Sequence, residues 1–261
     1  MPIPVVLLTD FGLTDSYVGA MKGKILSVSP GIPIIDLTHE IPRYDIQIAS
    51  IILSDNLPYF PDQCIFCCVV DPGVGSSRKP IALKLNLRWF IGPDNGLFGF
   101  LLDQPGIEAY EISHPLNASN TFHGRDLFAP IAAQLALGKT SVDSWPILSR
   151  EELIQNEIPT ARREPDIIRG KILYADHFGN LVTNILSDDL DSESEIEFDG
   201  RVISLYRFYE EMPQNSLCAL IGSTGRLEIS VKNGSAQAHS GWSVQTQLEV
   251  SARIFPNPKS C

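Results

Sequence analysis

The stretch from Cys64 to Val70 carries no polar side chain, so the strand read over residues 63–70 is apolar on both faces. Such a strand must be covered on both sides, the condition of sheets in α/β proteins. Residues 4–9 form a second apolar strand. Between the two, residues 15–28 place Tyr17, Val18, Met21, Ile25, Leu26 and Val28 at helical spacing, until Ser29, Pro30 and Gly31 stop the run. Residues 33–37 read as a short strand. Residues 45–59 read as a helix with Ile46, Ala49, Ile52, Leu53 and Leu57 on one stripe. Residues 80–85 and 88–92 form a pair of strands around Asn86 and Leu87. Residues 127–137 form a helix that Gly138 ends as its C′ residue. Strand–helix–strand alternation of this kind predicts an α/β domain with a mostly parallel sheet covered on both faces.

The pattern changes after Trp145. Residues 149–165 are polar, charged and proline-bearing, which suits a linker. Beyond them come short alternating segments over residues 170–174, 181–185, 195–198, 201–205, 217–222, 226–231 and 243–250. Turn residues such as Gly179-Asn180, Asp199-Gly200 and Asn233-Gly234 separate them, the rhythm of a small β-barrel or sandwich. We therefore expect two domains, residues 1–160 and 161–261, and the chain's 261 residues suffice for both.

The formal net charge of −11 argues against nucleic-acid binding, which needs basic surface to neutralise phosphates. It suits a cationic small molecule, and equally simple solubility. No apolar run is long enough to span a membrane, and no basic segment precedes the first one, so a cytoplasmic location is expected. Cys64, Cys67 and Cys68 lack a second Cys or His pair at zinc-finger spacing and read as buried free thiols.

Four of the apolar strands lead into an aspartate: Asp10, Asp36, Asp71 and Asp94. Ligands of open α/β sheets bind outside the carboxyl ends of the strands, so these carboxylates are expected along one edge of the sheet. A single such aspartate is more simply a turn former or helix cap. Asp71-Pro72-Gly73-Val74-Gly75 and Gly92-Pro93-Asp94-Asn95-Gly96 are glycine-rich turns that permit close backbone approach, but neither is a phosphate-binding fingerprint. Arg78 could pair with Asp71 or be a solvated charge beside Lys79. His123, just ahead of a helix, could be an acid/base group or a surface histidine.

These segments, in order, resemble the SAM hydroxide adenosyltransferase family (SAM, S-adenosylmethionine), relatives of bacterial fluorinase and chlorinase. The matching segments are Leu8-Thr9-Asp10-Phe11-Gly12 with residues 15–23; Asp36-Leu37-Thr38-His39; residues 70–75 with Arg78; residues 92–96; residues 121–129; residues 176–184; and residues 222–236. The resemblance implies a Rossmann-like N-terminal domain, a C-terminal β-barrel domain, and a homotrimer with its sites at subunit interfaces. It implies hydrolysis of SAM to adenosine and methionine by water attack at the ribose 5′ carbon, with no cofactor and no metal. The family's water-activating triad maps onto Asp71, Arg78 and His123. Asp10 would hold the ribose hydroxyls, with Phe11 in the same motif. Asp15 and Asp176 would take the methionine ammonium and Ser223 its carboxylate. Phe178 and Asn180 would contact the nucleoside, Ser235 and Ala236 the adenine edge, and Glu228 joins the same substrate-binding set.

Gly124 stands where the fluorinase carries a halide-holding serine. The chlorinase also has glycine there, so that residue alone leaves chloride transfer open. Three alternatives stand beside hydrolysis: a halide adenosyltransferase, a magnesium-dependent hydrolase using the strand-end aspartates, and a non-catalytic SAM or adenosine sensor.

Overall fold

The computed structural model describes residues 2–113, 118–140, 142–190, 194–242 and 249–253. The chain divides into two compact units, Met1–Ile158 and Pro159–Cys261.

The first unit contains β1 (Val5–Thr9), α1 (Tyr17–Val28), β2 (Ile34–Thr38), α2 (Ile46–Asn56), β3 (Ile65–Val69), β4 (Pro80–Leu85), β5 (Arg88–Pro93), β6 (Glu108–Glu111) and α3 (Ala129–Ala136). The six strands among its described residues lie in the order β2-β1-β3-β5-β4-β6. The ladders β1–β2, β1–β3 and β3–β5 are parallel, whereas β4 pairs antiparallel with both β5 and β6. The sheet is thus mixed. The parallel part is where the apolar runs lie: every residue of β1 and β3 is buried. The antiparallel part begins at the β4–β5 hairpin, turned by Asn86 at φ 55°. Helices α1 and α3 bury Met21, Ile25, Ala132 and Ala133 in the same core as Val5, Leu7, Ile65 and Cys67. Asp45 caps α2 by accepting the Ile48 N–H at 2.9 Å. Gly138, at φ 63°, follows the end of α3.

One local feature departs from the periodic reading. The helix expected from residue 127 is preceded by a π-helical turn, Gly124–Phe128, and the α-helical part starts only at Ala129. Single π turns recur at functional sites because they shift side chains out of the α-helical phase. This one begins directly after His123.

The second unit contains β7 (Arg162–Arg163), β8 (Ile167–Ala175), β9 (Leu181–Leu186), β10 (Glu195–Phe198), β11 (Arg201–Ile203), β12 (Leu205–Tyr206), β13 (Leu217–Ile221), β14 (Arg226–Val231), α4 (Ala236–Ser240) and β15 (Glu249–Arg253). They form one sheet in the order β11-β10-β15-β8-β9-β14-β13-β12, with β7 beside β8. The sheet curls into a nearly closed barrel around Ile168, Leu181, Ile185, Ile196, Phe198, Leu227, Ile229 and Val250. The strand predicted over residues 243–250 lies mostly outside the described residues, which resume at Glu249.

Candidate active site

In the first unit the glycine-rich turn after β3 brings Asp71 and Arg78 together. Arg78 Nε donates to Asp71 Oδ1 at 3.0 Å and Nη2 to Oδ2 at 2.5 Å. This is a two-point carboxylate–guanidinium pair of the strongest kind. Both side chains are buried, 7% and 5% exposed. Nη2 also lies 2.6 Å from His123 Nδ1. Arginine has only donors, so Nδ1 is the acceptor and a neutral His123 ring carries its proton on Nε2. The third nitrogen, Nη1, is buried with no hydrogen-bond partner among the described residues. An unpartnered buried guanidinium N–H is costly, and the two residues that Arg78 bonds, Asp71 and His123, both line a pocket. The Phe128 ring lies 5.4 Å from the guanidinium carbon and supports it from the side.

The turn that carries these residues depends on Gly75. Its φ is 78°, and a Cβ there would come 2.5 Å from the Asn120 carbonyl oxygen. A side chain would push the loop away from the segment that precedes His123.

Asp71 and His123 line a pocket of about 170 Å³ together with Phe11, Tyr17, Phe122 and Gly124. Phe11, Tyr17 and Phe122 are mutually packed, with ring centroids 5.2 to 5.8 Å apart. A Cβ on Gly124 would meet Met21 Sδ at 3.2 Å and Phe122 at 3.3 Å, so the aromatic wall closes over a position that has no side chain.

The four strand-end aspartates do not act as one group. Asp10 and Asp71 are close enough to interact. Burial pushes the Asp10 carboxyl above its ordinary value and the Asp71 charge adds to this, while the Tyr44 N–H, donated to Asp10 Oδ2 at 2.9 Å, opposes it. Asp36 instead pairs with Lys22 and His39. Asp94 is 5% exposed and accepts the Ile154 N–H at 3.0 Å. Asp15 is exposed ahead of α1 and lines neither pocket.

In the second unit Asp176, Phe178, Asn180, Ser223, Glu228 and Ser235 line one cavity of about 790 Å³, a volume in the range of small-molecule sites. Ala236, fully buried, begins α4 behind Ser235. The Asp176 carboxylate already accepts three bonds from its own loop: Phe178 N at 2.9 Å, Asn180 N at 2.8 Å and Asn180 Nδ2 at 2.9 Å. Its charge, more than a further hydrogen bond, is what it offers a ligand. Burial, with the charge of Asp176, pushes the Glu228 carboxyl up.

Sequence reading missed Tyr209. Its hydroxyl accepts from Asn180 Nδ2 at 3.2 Å and lies 3.4 Å from Glu228 Oε2, joining two cavity residues from a loop far along the chain. Tyr44 was missed as well, because it contributes a backbone N–H. It holds an unusual φ of 68° to do so.

Fold and site together define an α/β unit with a buried Asp–Arg–His centre, followed in the chain by a barrel-like β unit with a small-molecule cavity. The models of the SAM hydroxide adenosyltransferase N-terminal and C-terminal domains match residues 5–144 and 170–249. The chain belongs to the SAM hydroxide adenosyltransferase family. The (R)-S-adenosyl-L-methionine hydrolase of Thermus thermophilus is 38% identical, over 90% of this chain and 94% of its own. The fluorinase of an Actinoplanes species is 28% identical, over 72% of this chain and 73% of its own. The crystal structure of a conserved protein from Thermotoga maritima matches with a TM-score of 0.85 at 31% identity, covering 94% of this chain and 99% of that one.

Proposed function

We infer that this chain hydrolyses S-adenosylmethionine to adenosine and methionine by attack of water on the ribose 5′ carbon. The observation that carries the reading is the unpartnered Arg78 Nη1 beside Asp71 and His123, in a chain whose relatives over most of its length are named (R)-S-adenosyl-L-methionine hydrolase. The water oxygen forms a bond to C5′. The C5′–S bond breaks with its electron pair going to sulfur, and the water gives up one proton, which passes to solvent and balances the charge of the sulfonium that is lost. The sulfonium becomes the neutral thioether of methionine, so the leaving group needs no acid. What the reaction lacks is a nucleophile, because water is a weak one.

Arg78 answers that need. Its Nη1 is free to hold the water oxygen, and a cation there favours the hydroxide-like form that develops during attack. Asp71 locks the guanidinium through two of its nitrogens. His123 receives the second N–H of Nη2 at Nδ1, which makes it an orienting group for Arg78 rather than a proton acceptor at that atom. Asp36, Asp71 and Asp94 are each engaged with a different partner, which supports the water-attack reading over the magnesium alternative.

In this reading Asp10 binds the ribose hydroxyls through Oδ1, since Oδ2 is engaged by Tyr44. Phe11 forms the adjoining wall, and Asp15 and Asp176 face the methionine ammonium. Ser223 takes the carboxylate. Phe178, Asn180, Glu228, Ser235 and Ala236 form the nucleoside side. Phe11 lines the pocket of the first unit, and Asp176, Phe178, Asn180, Ser223, Glu228 and Ser235 line the cavity of the second, which favours the family arrangement: a Rossmann-like N-terminal domain, a barrel domain, and a homotrimer whose subunits share sites. Sedimentation at three times the chain mass tests the assembly. The buried free thiols Cys64, Cys67, Cys68 and Cys218 suit a reducing compartment, consistent with the cytoplasm. The relatives' name specifies the R configuration at sulfur, so the test of function is incubation with each resolved sulfonium epimer of SAM. Adenosine and methionine from the R epimer support the reading, and no product from either epimer rejects it.

A further inference from the structure

The segment Asp36-Leu37-Thr38-His39 has no part in the chemistry above, yet it ends in a histidine that is 3% exposed. His39 Nδ1 lies 2.8 Å from the hydroxyl of Thr9, which is fully buried at the end of β1. Thr9 Oγ1 in turn accepts the Phe11 N–H at 3.3 Å. The His39 carbonyl accepts the Gly12 N–H at 2.8 Å. On the other side of the ring, Nε2 is 3.0 Å from Asp36 Oδ1, and Lys22 Nζ is 2.6 Å from Oδ2. The β1–β2 register slips at Leu37, between the Leu7–Asp36 and Leu8–Thr38 pairs, and such irregularities re-aim the side chains around them.

The donors run in one direction. Burial works against the Asp36 charge, but Lys22 and His39 together hold its carboxyl below the ordinary range. A carboxylate facing Nε2 calls for the ring proton there. That contact lies off the N–H line, so its contribution is electrostatic more than a full hydrogen bond. Nδ1 is then the acceptor for the Thr9 hydroxyl proton, and the hydroxyl oxygen remains open to the Phe11 N–H. Residues 9, 11 and 12 are all held by this network, and Asp10 sits between the first two.

We propose that His39 is a positioning residue that fixes the 9–12 turn through Thr9 and so aims the Asp10 carboxylate at the ribose hydroxyls. The proposal rests on the reading of Asp10 as the ribose-binding group. His39 touches no reacting atom, so its signature is ribose discrimination and not the chemical step.

The test is calorimetric binding of adenosine and of 2′,3′-dideoxyadenosine to the full chain and four variants. Hydrogen bonds to a charged acceptor give the wild type a preference for adenosine of roughly tenfold or more. Asp10→Asn abolishes that preference. Thr9→Val, which keeps the side-chain volume, and His39→Gln each reduce it at least about fivefold by the same logic. Thr9→Ser, which restores the hydroxyl, keeps it. A wild-type preference in Thr9→Val, or in a folded His39→Gln, alongside its loss in Asp10→Asn overturns the proposal and leaves the Asp10 reading intact. Retention of the preference in Asp10→Asn overturns both.

Discussion

Replacing Arg78 with lysine isolates the geometry of the guanidinium from its charge. In the structure Arg78 uses Nε and Nη2 on Asp71, Nη2 again on His123 Nδ1, and leaves Nη1 open. A lysine ammonium keeps the positive charge beside Asp71, so it avoids the roughly 3–5 kcal/mol cost of stranding a buried carboxylate that Arg78→Ala would incur. A point charge on a shorter stem cannot reproduce the fork, hold His123 and present a donor to water at once. Loss of one preorganised donor at a reacting centre costs about 2.7–4 kcal/mol, or about 10²–10³ in kcat. The expected result is a kcat for adenosine release lowered by about that factor, with KM for SAM changed little and the thermal midpoint close to wild type. Release of adenosine under saturating SAM, followed by liquid chromatography, is the assay. An Arg78→Lys enzyme that turns over at the wild-type rate refutes the role given to Nη1.

Three further outcomes follow from the same geometry. Because burial and the Asp71 charge raise the Asp10 carboxyl, with Tyr44 opposing, acidification protonates it before ordinary carboxylates. KM for SAM therefore rises as pH falls through that raised value, and Asp10→Asn removes this acid limb, as a pH series of initial rates shows. Burial also raises Asp94, so its charged form is the disfavoured one in the folded chain and its folding contribution declines as pH rises through the raised value. Asp94→Asn, which mimics the protonated acid and keeps an acceptor for Ile154, matches or exceeds wild-type stability at neutral pH. Asp94→Ala strands that N–H and costs about 1–3 kcal/mol by denaturant titration. Tyr209→Phe removes the hydroxyl between Asn180 and Glu228 and weakens adenosine binding by about 0.5–1.5 kcal/mol in calorimetry; unchanged affinity rejects Tyr209 as part of the cavity's polar network.

Much of the first unit was legible because burial on both faces leaves a mark that pairing partners cannot blur. Strands β1 and β3 fall within the apolar runs that predicted them. The antiparallel β4–β6 pairing was less visible, since no periodicity in residues 108–111 says which neighbour they join. The π turn at Gly124–Phe128 was invisible for a related reason: it lasts one turn only, and three of its five residues precede the run that scans as helix from residue 127. Asp94 shows the limit of position-based reasoning. It stands at a strand end like Asp71, but its partner is a backbone N–H sixty residues away. Tyr44 acts through its backbone, which carries no side-chain signature, and Tyr209 reaches the cavity from a loop whose sequence gives no sign of convergence.

Incubation of the purified protein with SAM in ¹⁸O-water, with chelator present and halide absent, tests the central claim most directly. The account predicts adenosine carrying ¹⁸O at the 5′ position, together with unlabelled methionine, by mass spectrometry. SAM bound but left intact under these conditions, or cleaved only when chloride or magnesium is restored, would contradict it.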